Sequence, residues 1–296
     1  MEPITHLLTG YHLSRFLKFK IKYPTIAVLI GAIFPDIDHI VILFKKVYYL
    51  QYHRTFTHSL ITTPFFAFLL AIIIKFWDKK GKFFTYFSLI SIGIFSHLLL
   101  DLIVPYGIKL FYPFGRWYAF NWVCVIDIPL LIILLISFFI EKLNLFSEKK
   151  ISLIVLLFMI NFFLFRSYLN YKVANHFHSI YPKNIKIMAL PTPFNPFEWK
   201  VIVELEKEYK YFYFNFLKNK LYFKKHFLKT SEEIAFLKNL PLSKLFLEWA
   251  IFPIVDSSEK IFYLKDLRFF HPKYHILTVR IIFDKKTKET FLFKAQ

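Results

Sequence analysis

The chain has 296 residues, 56% hydrophobic and 21% aromatic, with a mean hydropathy of +0.46 and a formal net charge of +19. An ordinary soluble domain carries about 45–50% apolar residues, so the composition argues against that class and for an integral membrane protein. The positive charge raises nucleic acid as a partner, but the cations cluster at the ends of apolar runs, at Arg15, Lys18, Lys20 and Lys22 and at Lys75, Lys79, Lys80 and Lys82. With no nucleic-acid module in the chain, no such partner is expected.

Ile4–Phe16 is apolar at helical spacing, yet it carries His6 and His12 and is short for a span of about 20 residues, so a partial crossing is expected. MEPITHLLTG has no basic stretch ahead of an apolar core and reads as retained rather than as a signal peptide. Thr25–Phe44 is a second apolar run, interrupted by Pro35, which disfavours helical geometry at Phe34. Val47–Thr57 mixes aromatics with charges, as an interfacial connection does. Leu60–Trp77, Phe83–Val104, Val123–Ile140 and Ile151–Leu169 then read as spans, with Trp117, Tyr118 and Trp122 suited to an interface belt.

From about Asn170 the pattern becomes period-two, in Trp199–Glu206, Tyr209–Phe216 and His275–Phe283, which predicts half-buried antiparallel strands. Asp284–Lys288 reads as a hairpin loop into Phe291–Lys294, and Thr230 with Glu233 as a capping box for a helix over Ser231–Lys238. The fold expected is an all-α polytopic membrane domain of about five to six membrane helices, some short or broken, over residues 1–169, followed by a small β-rich soluble domain over 170–296. Placing the basic stretches at Lys18–Lys22, Lys75–Lys82 and Glu141–Lys150 on the cytoplasmic side makes the protein multi-pass, with its C-terminal domain outside the cytoplasm. Cys124 is the single cysteine, which leaves no intramolecular disulfide or thiolate cluster.

Carboxylates and imidazoles stand out because they are costly in apolar sequence. IFPDIDH at Ile33–His39 carries Asp36, Asp38 and His39, HRTFTHSL at His53–Leu60 carries His53, Arg54 and His58, and SHLLLD at Ser96–Asp101 carries His97 and Asp101. His97 and Asp101, four apart on a helix, share one face and can ligate one ion or two adjacent ones. Irregular backbone after Pro35 can bring Asp36 and Asp38 to a common ion, and Arg54 can meet a phosphate or pair with a carboxylate of the site. The competing reading is a buried ion-pair network that fixes helix packing. For His12, His176 and His178 the expectation is an ordinary hydrogen-bonded histidine. Ser59 and Ser96 lie beside these histidines, but neither sits in a GxSxG elbow, and no glycine-rich phosphate loop is present.

Thr5–Gly10 (THLLTG), IFPDIDH, HRTFTHSL and Ser96–Gly107 (SHLLLDLIVPYG), in this order, resemble the YdjM-like inner-membrane metal-dependent hydrolase family. The resemblance runs from Met1 to about Asp127, through YPFGRWYAFNWVCVID, and LPTPFNPFEW at Leu190–Trp199 resembles a C-terminal extension of some members. That family is in turn distantly similar to zinc-dependent phospholipase C. The resemblance implies His6, Asp36, His58, His97 and Asp101 as metal ligands, with His53 and Asp38 next. The departure is at the N-terminus, where the phospholipase uses its mature terminal residue as a ligand and this chain shows no processing site.

The activity expected is hydrolysis with one or more divalent ions, zinc first because the donors mix imidazole with carboxylate. The substrate expected is a phosphoester or ester of a membrane lipid or lipid-linked molecule. Asp38 or Asp36, whichever does not ligate, takes a proton from water, and Arg54 holds an anionic oxygen. The alternatives are a non-enzymatic ion or metal permeation protein, since buried Asp and His also line cation paths, and a metal-stabilised membrane anchor. The spacing assigns no role to Asp127 and no protein partner.

Overall fold

In the computed structural model every residue is described except 18, 41–48, 50, 51, 144, 145, 259, 260, 272, 273, 276, 277, 283–287 and 293–296. The described chain falls into two compact units. One comprises Met1–His39, His53–Asn170 and Pro191–Pro196, and the other includes Tyr171–Leu190 and the described residues of Phe197–Gln296.

The first unit is helical: α1 (Pro3–Leu17), α2 (Pro24–Ile33), α3 (Thr63–Trp77), α4 (Phe83–Leu102), α5 (Ile128–Lys142) and most of α6 (Glu148–His178). Proline in the first turn starts α2, α3 and α5, where its missing N–H removes no helical bond. Its core is the α2–α3–α4 packing of Ala27, Val28, Phe66, Ala67, Ala71, Leu89, Ile90 and Ile94. Small residues set the spacing there. A Cβ on Gly31 would overlap the carbonyl of Ile90, and one on Gly93 would overlap the carbonyl of Val28, so α2 and α4 touch backbone to backbone, as helices do at small-residue crossings. Gly10 of α1 packs on the Ala32 side chain, where a Cβ would lie 2.8 Å from that of Ala32.

The expectation of five to six membrane helices is not met. Among the eight described α-helices, two are long and apolar enough to cross a membrane: α4, with 20 residues, and α6, with 31. The others are cut short for local reasons. The run from Thr25 ends as a helix at Ile33, and Pro35 opens a 3-10 turn over Phe34–Ile40. The expected span at 123–140 begins only at Ile128, because Asp127 takes extended geometry and caps the helix. A helix of 15 residues, such as α3 or α5, is about 22 Å long at 1.5 Å per residue, short of the ~30 Å hydrocarbon layer. With two spans the side assignment built on alternating basic loops no longer follows.

The second unit is not all-α. β1 (Lys186–Pro191), β2 (Glu198–Glu204), β3 (Glu208–Asn215) and β4 (Lys220–Leu228) form one sheet in that order. β5 (Pro253–Ser258), β6 (Ile261–Asp266), β9 (Thr278–Ile282) and β10 (Lys288–Leu292) form another in the order β10-β9-β6-β5, and β7 (Phe270–His271) pairs with β8 (Tyr274–His275). β2 with β3, β3 with β4, β5 with β6, β6 with β9 and β9 with β10 pair antiparallel, with Trp199 opposite Phe214 and Val201 opposite Phe212. Leu190, Ile202, Tyr211, Phe252 and Phe270 build the core. α7 (Ser231–Leu237) and α8 (Pro241–Trp249) lie between the sheets in sequence. The capping box at α7 does not form: Thr230 precedes the helix but makes no side-chain cap, and its hydroxyl is buried without a partner among the described residues. Residues 284–287 of the expected hairpin loop, 41–44 of the apolar run from Thr25, and 47, 48, 50 and 51 of the connection after it lie outside the described residues.

Gly93→Ala inserts a methyl group where α4 meets a backbone carbonyl, and is expected to cost about 1–3 kcal/mol. Phe95→Ala, at an exposed position of the same helix, is expected to stay within ~0.5 kcal/mol. Melting midpoints of the detergent-purified variants check this, and equal midpoints would contradict the close crossing.

Candidate metal centre

The α2–α4 crossing aims the first donor. It brings the Ala32 carbonyl 2.7 Å from His97 Nδ1, so that nitrogen donates its proton and Nε2 keeps its lone pair for the cluster. Asp101, one turn further along α4, lies on the same face, with Oδ2 3.5 Å from His97 Nε2. The 3-10 turn after α2 supplies Asp36, whose Oδ1 is 3.6 Å from His97 Nε2. His58 closes the 3-10 turn Phe56–His58 and places Nε2 3.1 Å from His97 Nε2, 3.2 Å from Asp101 Oδ2 and 3.7 Å from Asp36 Oδ1. One donor atom from each of Asp36, His58, His97 and Asp101 falls within 4.8 Å of every other.

These separations suit a single ion. Four donors at 2.0–2.1 Å in tetrahedral array stand about 3.3 Å apart, and the five separations above run from 3.1 to 3.7 Å. Both oxygens of Asp36, Oδ2 of Asp101 and both ring nitrogens of His6 are buried with no hydrogen-bond partner among the described residues. Such atoms are costly unless something binds them, and a divalent cation answers the carboxylates and imidazoles together. The residues fit a metal.

His6 stands beside this group, its Nε2 3.4 Å from Asp101 Oδ1 and its ring stacked on His97 at 3.7 Å. Burial, reinforced by the neighbouring terminal amine, pushes the His6 pKa well down, so the ring is neutral and able to ligate. The Met1 amine also contacts Asp101 Oδ1. Arg54 reaches the same oxygen, Nη2 at 3.1 Å, while its guanidinium lies 4.8 Å from the centre of the Tyr106 ring. Arg54 has a left-handed backbone, φ 61°, a strained state for a residue other than glycine. Its backbone is held at both ends, the N–H donating to Asp38 Oδ2 at 3.0 Å and the carbonyl accepting from Lys109 at 2.9 Å.

Asp38 and His53 fall in a second group, with His39. Asp38 faces His53 Nδ1 at 2.8 Å, the Arg54 N–H at 3.0 Å, the Thr57 hydroxyl at 2.8 Å and His58 Nδ1 at 3.2 Å. Its lone pairs are thereby committed. Burial pushes the Asp38 carboxyl up, but His53 and His58 outweigh it and hold it below the usual carboxylate range. For Asp36, too, burial is outweighed by His58 and His97. Burial drives His53 down to about 3 against the pull of Asp38. His39 Nδ1 is 3.0 Å from the Asp36 carbonyl and 3.5 Å from Asp38 Oδ1, and its ring is half exposed.

Thr57 and the Ala32 carbonyl were not legible as parts of the site, since neither residue type signals a metal. Arg166 was missed as well, although an arginine inside FFLFRSYLN is the sort of residue that signals a role. It is fully buried, bonds the carbonyls of Trp122 and Pro196, and lies 3.7 Å from Asp127. Asp127 caps α5 through the Leu130 N–H, which places it in helix packing rather than in the cluster. His12 is an ordinary buried histidine bonded to Ser137 and Ser152, and His176 stacks on Phe214. The hydroxyls of Ser59 and Ser96 donate to backbone carbonyls.

A family model described as "YdjM inner membrane protein" matches residues 1–173. The chain is 27% identical over 103 residues to the uncharacterized protein YfhP of Bacillus subtilis (strain 168), an alignment that covers 34% of this chain and 32% of YfhP. The chain thus matches about a third of that relative's length. No solved structure matches it significantly.

Elemental analysis of detergent-purified protein is expected to find at least one divalent ion per chain. Asp38→Asn, which leaves all four donors of the first group in place, is expected to weaken metal affinity about 10–100-fold, as loss of an orienting partner does. Metal content unchanged in a His58→Ala, His97→Ala double variant would remove the site.

Proposed function

The chain belongs to the YdjM inner membrane protein family, and from that premise we propose that it is a membrane-associated, metal-dependent hydrolase of phosphoesters or esters carried on lipids or lipid-linked molecules. The observation that carries this reading is the buried set Asp36, His58, His97 and Asp101, its donors at ion-binding separations and three carboxylate oxygens without a hydrogen-bond partner among the described residues.

Those four residues would hold the ion, with His6 beside Asp101 as the next donor. Mixed imidazole and carboxylate donors at tetrahedral separations favour zinc. A divalent ion there would supply Lewis acidity, stabilising charge on a phosphoryl or acyl oxygen and lowering the pKa of a water toward ~7.

The chain's own residues divide the remaining work. Ala32 and Asp38 each occupy an Nδ1, on His97 and His58 respectively, and so orient both Nε2 atoms toward the cluster. Asp38 is therefore a positioning residue, with its oxygens already engaged. With the oxygens of Asp38 engaged, Asp36 would serve both ends, one oxygen offered to the ion and the other, without a partner among the described residues, taking the proton of an attacking water. Arg54 presents a fork of fixed positive charge next to Asp101, suited to an anionic phosphoryl oxygen.

Purified full-length protein loaded with zinc is expected to turn over members of a phosphoester and acyl-ester panel, and to stop on chelation. Arg54→Lys is expected to slow anionic substrates more than neutral ones, because an ammonium lacks the planar fork. Asp38→Asn separates its two possible roles: a base loses turnover with metal retained, whereas a positioning residue loses metal and turnover together. Absence of metal-dependent turnover across the panel would overturn the reading.

A further inference from the structure

α2 buries Ala27, Val28, Gly31 and Ala32 and turns Leu29, Ile30 and Ile33 the other way. With Phe34, Asp36 and Ile37 of the following turn, these three line an open groove of about 430 Å³, within the ~300–1,000 Å³ of small-molecule sites. Five of the six lining residues are large and apolar. The sixth is Asp36, which also belongs to the four-residue cluster and carries two buried oxygens without a hydrogen-bond partner among the described residues. A membrane crossing does not account for this half-buried face, since the 10 residues of α2 span only about 15 Å.

We propose that this groove seats one acyl chain of a phosphoester lipid, with the phosphate of that lipid at the Asp36–His58–His97–Asp101 cluster. The proposal deepens the hydrolase reading and rests on it for the position of the phosphate. The polarity of the groove selects the occupant. A lipid offers hydrocarbon along Leu29, Ile30 and Ile33 and an anionic head at one end. There the Arg54 guanidinium, 3.1 Å from Asp101 Oδ1, and an ion held by the cluster would offset the charge of the carboxylates for that head.

The test is photocrosslinking of the full-length protein in phosphatidylcholine nanodiscs doped with phosphatidic acid that bears a diazirine in its acyl chain. Adducts are mapped by mass spectrometry, and zinc content is measured on the same samples. Labelling of residues 29–37 is expected to exceed that at the exposed Phe76 of α3 by about tenfold, a preference of ~1.4 kcal/mol. It is expected to fall to the Phe76 level in Ile33→Trp, which fills the groove, while zinc content holds and shows that the variant is folded. A diazirine alkane without phosphate is expected to label both regions alike. Equal labelling of 29–37 and Phe76 by the phosphatidic acid probe, or enrichment that survives Ile33→Trp, overturns the groove whatever the zinc content. Enrichment that the phosphate-free probe reproduces overturns the placement of the head. Absence of zinc with enrichment intact sinks the metal reading and leaves the acyl site standing.

Discussion

Gly31 and Gly93 allow α2 and α4 to approach until backbone meets backbone, and the candidate centre depends on that approach. The crossing carries the Ala32 carbonyl to His97 Nδ1, which fixes the tautomer and the ring plane of the histidine around which the other donors gather. It also sets down the start of the Pro35 turn, and with it Asp36, against the same face of α4. Larger residues at the crossing would separate the helices and spread donors that now stand within 4.8 Å of one another.

A second constraint is the cost of charge away from water. Asp101, His58 and His97 are fully buried, and Asp38 nearly so, yet the two carboxylates of the 3-10 turn meet burial in opposite ways. Asp38 is neutralised by protein donors: two imidazoles, a hydroxyl and a backbone N–H. Asp36 has two oxygens without a close hydrogen-bond partner among the described residues and is held ionised by His58 and His97 nearby. One carboxylate serves the architecture and the other is left for an ion and a reactant, the sort of division by environment that lets neighbouring acids take different roles. The left-handed backbone of Arg54 belongs to the same economy, since it lets one residue give its N–H to Asp38 and its guanidinium to Asp101.

Elsewhere the buried charges are structural. Arg166 and Asp127 hold α6, the start of α5 and the Pro196 carbonyl together, and Tyr11, Arg15 and Glu141 link α1 to α5. Buried polar groups of this kind fix a unique arrangement more than they add net stability. Their presence shows that an ionisable residue in apolar sequence does not by itself mark a reactive site. What separates the candidate centre from them is the number of imidazole and carboxylate atoms gathered in one place without a hydrogen-bond partner among the described residues.

Several features of this protein were determined by the sequence alone. Four motifs in order carry the family, because they hold residues too costly to keep in apolar surroundings without a use. The i, i+4 spacing of His97 and Asp101 puts both on one helix face, and the alternation after Asn170 forms strands at Glu198–Glu204 and Glu208–Asn215, because both follow from local periodicity. Tertiary structure alone decided the rest. Hydropathy read long apolar runs as five to six spans, whereas proline, an aspartate cap and a 3-10 turn divide those runs into helices too short to cross. Asp36 and Asp38 are equivalent in the sequence, two residues apart with the same side chain. Only the packing of His53, Arg54 and Thr57 against Asp38 decides which carboxylate is saturated and which stays open, because hydrogen bonds between residues 15 or more positions apart leave no trace in local spacing.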